Sequence, residues 1–230
     1  MIIDCISFNG ESEIWEIRYN ILKDFVDEFR VVEFDKTFSG KPKTSVFAQN
    51  WPKVKSYYIT EDIWSKYEEE AKESPNTQYG KGAEHWIREW CQKESIKDCL
   101  TDLKDDDIVF VSDCDEIYNP KWFKHDYPIE DIKPIKLKLK VYTYYLNNRS
   151  NEEFYGTLYT MYKNIKNNCL NELRTLGPRI EITDEMMADK NVKKPVYYKN
   201  GSGWEAGWHF TSMGGYEKVK EKLTDSYTKD

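Results

Sequence analysis

The stretch DDDIVFVSDCDEIYNP, residues 105–120, runs an apolar segment, Ile108 to Val111, into three carboxylates: Asp113, Asp115 and Glu116. Like charges this close repel one another, and a divalent cation is the obvious way to offset the repulsion. If the strand continues past Val111, Asp113 and Asp115 share one face and both reach a single ion. Hard oxygen ligands suit Mg²⁺ or Mn²⁺, which keep coordination positions open for substrate phosphates. An ion there would screen a pyrophosphate and stabilise it as a leaving group. The competing reading is a solvated acidic turn in which an Asp caps the next segment. A bare D-x-D is common by chance, and the uninterrupted apolar run before it is what favours the metal. Phosphates also need cations or helix N-termini. Arg88, ahead of the acidic strand, and Arg174 and Arg179, flanking a Gly-Pro turn, are candidates to meet a pyrophosphate or to hold a carboxylate.

These residues need elements to position them. MIIDCISF (1–8) reads as a buried strand broken by Asn9-Gly10. From Glu11 to Glu28, Ile14, Ile17, Ile21 and Phe25 recur at helical spacing with Leu22 beside them, and FRVVEF (29–34) is the next strand. Strand, helix, strand is the start of a βαβ unit. TFSGKPK (37–43) is a loop, VKSYYI (54–59) a third strand, 62–73 a mostly solvated helix and SPNTQYGKG (74–82) a loop. Ala83 to Leu103 reads as one long helix whose apolar stripe is imperfect between its halves. In IKLKLKVYTYYL (135–146), Leu137, Leu139 and Val141 alternate with Lys136, Lys138 and Lys140, a half-solvated strand. GTLYTMY (156–162) is a further strand; LRTLGPRIE is a loop, PVYYK a short strand, NGSGWEAGW a Gly-rich loop, and the tail a short amphipathic helix. The pattern predicts an α/β fold in a single domain, with a nucleotide-binding half over 1–118 and an acceptor and catalytic half over 119–230.

Composition narrows the class. Hydrophobic residues make up 39% of 230, enough for a sizeable core. Aromatics reach 15%, with 17 Tyr and 8 Trp, and exposed aromatics suit flat ligands such as sugars. A net charge of −7 argues against non-specific nucleic-acid binding. The five cysteines form no CxxC pair, so reduced thiols are expected rather than a disulfide framework or a zinc site. No basic n-region opens the chain and no run of 18 apolar residues occurs, which predicts a soluble, cytoplasmic protein without secretion signal or membrane span.

Five stretches, in order, resemble glycosyltransferase family 17, the family of β-1,4-mannosyl-glycoprotein N-acetylglucosaminyltransferase: IIDCISFNGESEIWEIRYNIL, VVEFDKTFSGKPK, WIREWCQKESI, DDDIVFVSDCDEIYNP and GWHFTSMGG. The resemblance implies a GT-A fold, with a Rossmann-like nucleotide-binding half and a mixed central sheet flanked by helices. It implies a metal-dependent, inverting transfer from a UDP-sugar donor, with UDP-N-acetylglucosamine favoured, to a glycan or glycoconjugate acceptor. It also implies Mn²⁺ (or Mg²⁺), with His209 of GWHF as a further ligand beside Asp113 and Asp115; the alternative for His209 is packing between Trp208 and Phe210.

Inverting transfer needs one base for the acceptor hydroxyl. Glu205, Asp184, Glu185 and Asp189 are candidates, Glu205 slightly preferred for lying four residues before His209, with Glu116 as alternative base or as support for the metal ligands. The uracil and ribose are expected near Ser7, Phe8 and Asn9, with Glu33 for the ribose hydroxyls and Lys41 in the loop after the second strand. Trp204 and Trp208 are candidates to stack on sugar faces, and Glu13 and Arg18 to pair on the first helix. Two other readings stay open: a nucleotidyltransferase or phosphohydrolase, which also places carboxylates after a strand, and a non-catalytic glycan-binding homologue. Relatives often continue with a His/Glu-containing segment beyond TDSYTKD, so a C-terminal element is expected to be missing.

Overall fold

A computed structural model describes residues 1–48, 50–74, 84–123, 132, 134–176, 206–216 and 219–220. The strands are β1 (Ile2–Ser7), β2 (Glu28–Phe34), β3 (Val54–Ile59), β4 (Ile108–Asp113), β5 (Glu116–Tyr118), β6 (Ile135–Thr143), β7 (Arg149–Met161) and β8 (Gly207–Thr211). Among the described residues they form one mixed sheet in the order β3-β2-β1-β4-β7-β6-β8-β5. The first four run parallel. β7 is antiparallel to both β4 and β6, β8 is parallel to β6, and β5 returns antiparallel to β8. The carboxyl ends of β1, β4, β6 and β8 therefore lie at one end of the sheet, where ligands of open α/β sheets collect.

The helices are α1 (Ser12–Leu22), α2 (Glu61–Trp64), α3 (Glu68–Glu73), α4 (Glu84–Ser95), α5 (Tyr162–Lys166) and α6 (Leu170–Leu176). α1 packs on one face of the sheet with Ile6, Phe29, Val31, Phe110 and Tyr159. α4 packs on the other with Ile3, Val32, Val109, Val111 and Leu158. Strands buried on both faces tend to read as continuous apolar runs, and Ile108–Val111 of β4 reads so; β1 and β2 are equally buried but carry the charged Asp4, Arg30 and Glu33.

Four expectations are corrected. The helix expected from Glu11 to Glu28 ends at Leu22, and Glu28 already belongs to β2. Ile14, Ile21 and Phe25 pack partly buried against the core, and the buried residues of α1 are Trp15, Arg18, Tyr19 and Leu22. The helix expected over 83–103 stops at Ser95 and tightens into a 3₁₀ turn, Ile96–Leu100, which accounts for its imperfect stripe. The stretch read as a loop from Leu173 begins inside α6, and the end of NGSGWEAGW is the start of β8. PVYYK, the loop at 75–82 and most of the tail lie outside the described residues.

β8 depends on a glycine. A Cβ on Gly207 would lie 2.2 Å from the Ile117 carbonyl oxygen and 2.6 Å from Tyr118 Cα, both main chain of β5. Gly207→Ala is expected to destabilise the fold by about 1–3 kcal/mol, the cost of overpacking, in urea denaturation. The same change at an unobstructed strand position would be neutral or mildly stabilising.

Candidate active site

β4 runs beside β1 with Ser7 opposite Asp113, and the turn Asp113–Glu116 follows at the carboxyl end of the sheet. Arg18 of α1 reaches up beneath it, fully buried beside the equally buried Asp4. Its Nε and Nη2 donate to the two Asp4 oxygens at 2.7 and 2.6 Å, and Nη2 also donates to Ser112 Oγ at 2.8 Å. Nη1 donates to the main-chain oxygens of Glu116 at 2.7 Å, Asp113 at 3.3 Å and Cys114 at 3.4 Å. The expected partner on the helix, Glu13, is exposed; Arg18 turns inward because Asp4 and the turn's carbonyls need its N–H groups in a dry site.

Asp113 is held by cations of the protein itself. Arg174 Nη2 donates to its Oδ1 at 3.1 Å, Ser7 Oγ donates to the same oxygen at 3.0 Å, and Lys93 Nζ lies 3.5 Å from its Oδ2. Burial alone would raise the Asp113 pKa, but Lys93 and Arg174 outweigh it and hold the carboxyl well below the usual carboxylate range. Lys93 comes from α4, where it also pairs with Glu89 at 2.7 Å. Its neighbour Glu94 is fully buried and accepts from the Leu170 and Asn171 backbone N–H groups at 3.0 and 2.9 Å, which fixes α6 and with it Arg174. The turn is thus held from both layers, by α1 on one side and by α4 and α6 on the other.

Asp115 faces the last strand. Phe210 N donates to its main-chain oxygen at 2.9 Å, and its Oδ2 lies 3.7 Å from His209 Nε2, an ion-pair distance rather than a hydrogen bond. The His209 ring stacks on Phe154 with centroids 4.0 Å apart, and its buried Nδ1 has no hydrogen-bond partner among the described residues. Burial lowers the imidazole pKa, but Asp115 outweighs it, and the net direction is up. Glu116, paired with His209 across β5 and β8, is 3% exposed. Its Oε2 has no hydrogen-bond partner among the described residues, and burial followed by the charge of Asp113 lifts its pKa to about 7. Room for it exists because residue 156 is glycine: a Cβ there would lie 2.7 Å from Glu116 Cδ.

Among the described residues, no three His, Cys, Asp or Glu side chains converge on a ready-made ion cage. The arrangement instead suits an ion bound by two protein ligands and completed by substrate oxygens, as is usual for Mg²⁺. Ligands each about 2.1 Å from one octahedral ion lie about 3 Å apart when adjacent and about 4 Å apart when opposite. The Asp115–His209 spacing of 3.7 Å lies between those values, so one of the two side chains would shift by a few tenths of an ångström to share an ion, whereas Asp113 is already engaged with Arg174, Ser7 and Lys93.

Ser7 is brought to the site, bonded to Asp113. Phe8 is core, edge-on to Phe47 with centroids 5.2 Å apart. Asn9 lies at the surface with its side-chain oxygen accepting from Lys43. Glu33 accepts from Ser45 Oγ at 2.5 Å, Val46 N at 2.8 Å and Phe47 N at 3.2 Å, so it anchors the 45–47 segment rather than standing open for a ribose. Arg88 donates to the Phe38 carbonyl at 2.5 Å and packs against Gly40, whose φ is +88°; it shapes the loop carrying the exposed Lys41. Glu205, Asp189, Asp184, Glu185, Arg179 and Trp204 lie outside the described residues. Sequence reasoning missed Lys93, Arg18 and Gly156. An i,i+4 pair with Glu89 marks Lys93 only weakly, but a glycine inside a strand pattern is a recognised sign of close approach and marks Gly156.

A mixed α/β sheet flanked by helices, with an acidic turn at the carboxyl end of a parallel strand, is consistent with a GT-A-like glycosyltransferase. The family model for glycosyltransferase family 17 matches residues 1–174, and the chain belongs to that family. A search of curated proteins finds no match to the chain. The family match takes in the acidic turn, Lys93 and Arg174, and ends before β8, so His209 lies outside the matched residues. No helix among the described residues is long and apolar enough to cross a membrane.

Lys93→Met removes one of the two cations beside Asp113, a carboxylate whose side chain is 34% exposed. The variant is expected to lose about 1 kcal/mol of stability or less by urea denaturation, because solvent screens the carboxylate and Arg174 remains.

Proposed function

We propose that this glycosyltransferase is a metal-dependent, inverting enzyme that moves N-acetylglucosamine from UDP to a glycan hydroxyl. The observation carrying this reading is the Asp115–His209 pair, two ligand types 3.7 Å apart at the carboxyl end of the sheet. Asp115 and His209 are the residues that would hold Mn²⁺, for which a mixed oxygen and imidazole set is apt. When bound, the ion supplies charge neutralisation to the donor diphosphate, making UDP the better leaving group. Asp113, kept ionised by Lys93 and Arg174, and Ser7 form the floor beside it. N-acetylglucosamine as the sugar follows from the family resemblance.

In an inverting transfer the acceptor oxygen attacks the anomeric carbon as the bond to the diphosphate oxygen breaks, and the hydroxyl proton passes to a base. We assign that base to Glu116. A carboxylate with a pKa of about 7 and an oxygen without a hydrogen-bond partner among the described residues is suited to take a proton at neutral pH. Arg174, 4.0 Å from Glu116 Oε1 and bonded to Asp113, links base and floor. Glu205, two residues before the first residue of β8 in the sequence and outside the described residues, is the competing base.

A UDP-sugar panel with and without Mn²⁺ tests the reading. One donor is expected to be hydrolysed slowly, releasing UDP, with turnover abolished by chelation and reduced about 100-fold or more in Asp115→Ala. Glu116→Gln is expected to lower kcat by about 10²–10⁴-fold with little change in donor KM, while Glu205→Gln retains turnover. Release of pyrophosphate in place of UDP would establish nucleotidyl transfer instead. Absence of both turnover and Mn²⁺-dependent UDP binding would leave a glycan-binding homologue.

A further inference from the structure

Every main-chain carbonyl of the turn that carries Asp115 is hydrogen-bonded. Those of Asp113, Cys114 and Glu116 accept from Arg18 Nη1, and that of Asp115 accepts from Phe210 N. The Glu116 carbonyl accepts a second bond, from Thr157 Oγ1 at 3.2 Å. Buried carbonyls of a turn must be satisfied by backbone, a side chain or ordered water. Here a buried guanidinium fills that centre, and it is fixed in turn by two bonds to the buried carboxylate of Asp4 on β1.

We infer that Arg18 is the positioning residue of the metal-binding turn. Anchored by Asp4, its fork holds the backbone on either side of Asp115 and so sets where the Asp115 carboxylate stands relative to His209. The inference rests on the proposed metal role of Asp115 and His209. Only arginine does this: a lysine ammonium keeps the charge opposite Asp4 but is a point donor, without the planar fork that spans Asp4 and the turn. Arg18 touches no substrate and takes no part in the chemistry. Its influence passes through the main chain, and outer contacts of this kind ordinarily change metal affinity by about 10–100-fold when lost.

Arg30 on β2 provides the matched control. It is also fully buried and paired, with Nε donating to Glu28 Oε1 at 2.8 Å and Nη2 to Asp102 Oδ2 at 3.1 Å, but none of its contacts is with the turn. The experiment compares wild type, Arg18→Lys and Arg30→Lys by electron paramagnetic resonance of free Mn²⁺ in the presence of UDP, alongside urea denaturation and near-ultraviolet circular dichroism. Arg18→Lys is expected to raise the Mn²⁺ concentration for half-saturation about tenfold or more, with a matching fall in kcat for donor hydrolysis. Arg30→Lys is expected to lose stability yet bind Mn²⁺ as wild type does. A folded Arg18→Lys with wild-type Mn²⁺ binding overturns the inference, as does an Arg30→Lys that weakens binding equally, since the effect would then be general loosening. Where Arg18→Lys does not fold, Asp4→Asn replaces it: this variant releases the guanidinium's anchor while keeping an acceptor oxygen, and unchanged Mn²⁺ binding in it overturns the inference. Wild-type protein that binds no Mn²⁺ with UDP overturns the metal reading itself, a result distinct from any difference among the variants.

Discussion

A guanidinium can leave water only if its N–H groups all find acceptors, and much of this structure follows from how Arg18 meets that condition. The side chain of Asp4 takes two of the bonds, which ties α1 to β1. Ser112 and the carbonyls beyond it take the rest, which ties both to the end of β4. A buried ion pair of this sort contributes little net stability over an apolar pair of similar shape, yet breaking it is costly, about 3–5 kcal/mol. What it provides is a fixed geometry: helix, strand and turn meet at one point, and the site is built on that point.

The acidic stretch then divides into three unlike carboxylates. Asp113 is neutralised by Lys93 and Arg174 and stays ionised. Glu116 is buried next to that negative charge, and its pKa is pushed up to about 7. Asp115 is left facing His209. Part of the repulsion suggested by the sequence is therefore relieved by basic side chains and by one raised pKa. Separating the proton affinities of neighbouring carboxylates is also how one site holds an electrostatic anchor beside a proton acceptor.

The sequence was legible where physics is local. The largely apolar runs of β1, β2 and β4 announced strands, and the alternation of Leu137, Leu139 and Val141 announced a half-solvated one; all lie where expected. The acidic turn was found because carboxylates after an apolar strand are conspicuous, and Ser7 because it ends the first strand. The rest was hidden by long-range pairing. Arg18 is a charged residue on the buried side of α1, and its partner Asp4 is a charged residue in a buried strand. Lys93 looked like one more solvated lysine on a helix. The contact between β5 and β8 joins segments far apart in the chain, and no periodicity reports such a pairing.

Gly156 gives the site an inherited dependency. The space that holds the Glu116 carboxylate is the missing side chain of a residue on another strand, with Phe154 Cε1 crowding the same spot at 2.5 Å. A methyl group at 156 would press on both that ring and the carboxylate, so a side chain there forces Glu116 to another position. Among relatives of this chain, a glycine at the equivalent of 156 would be expected to accompany a buried acid at 116.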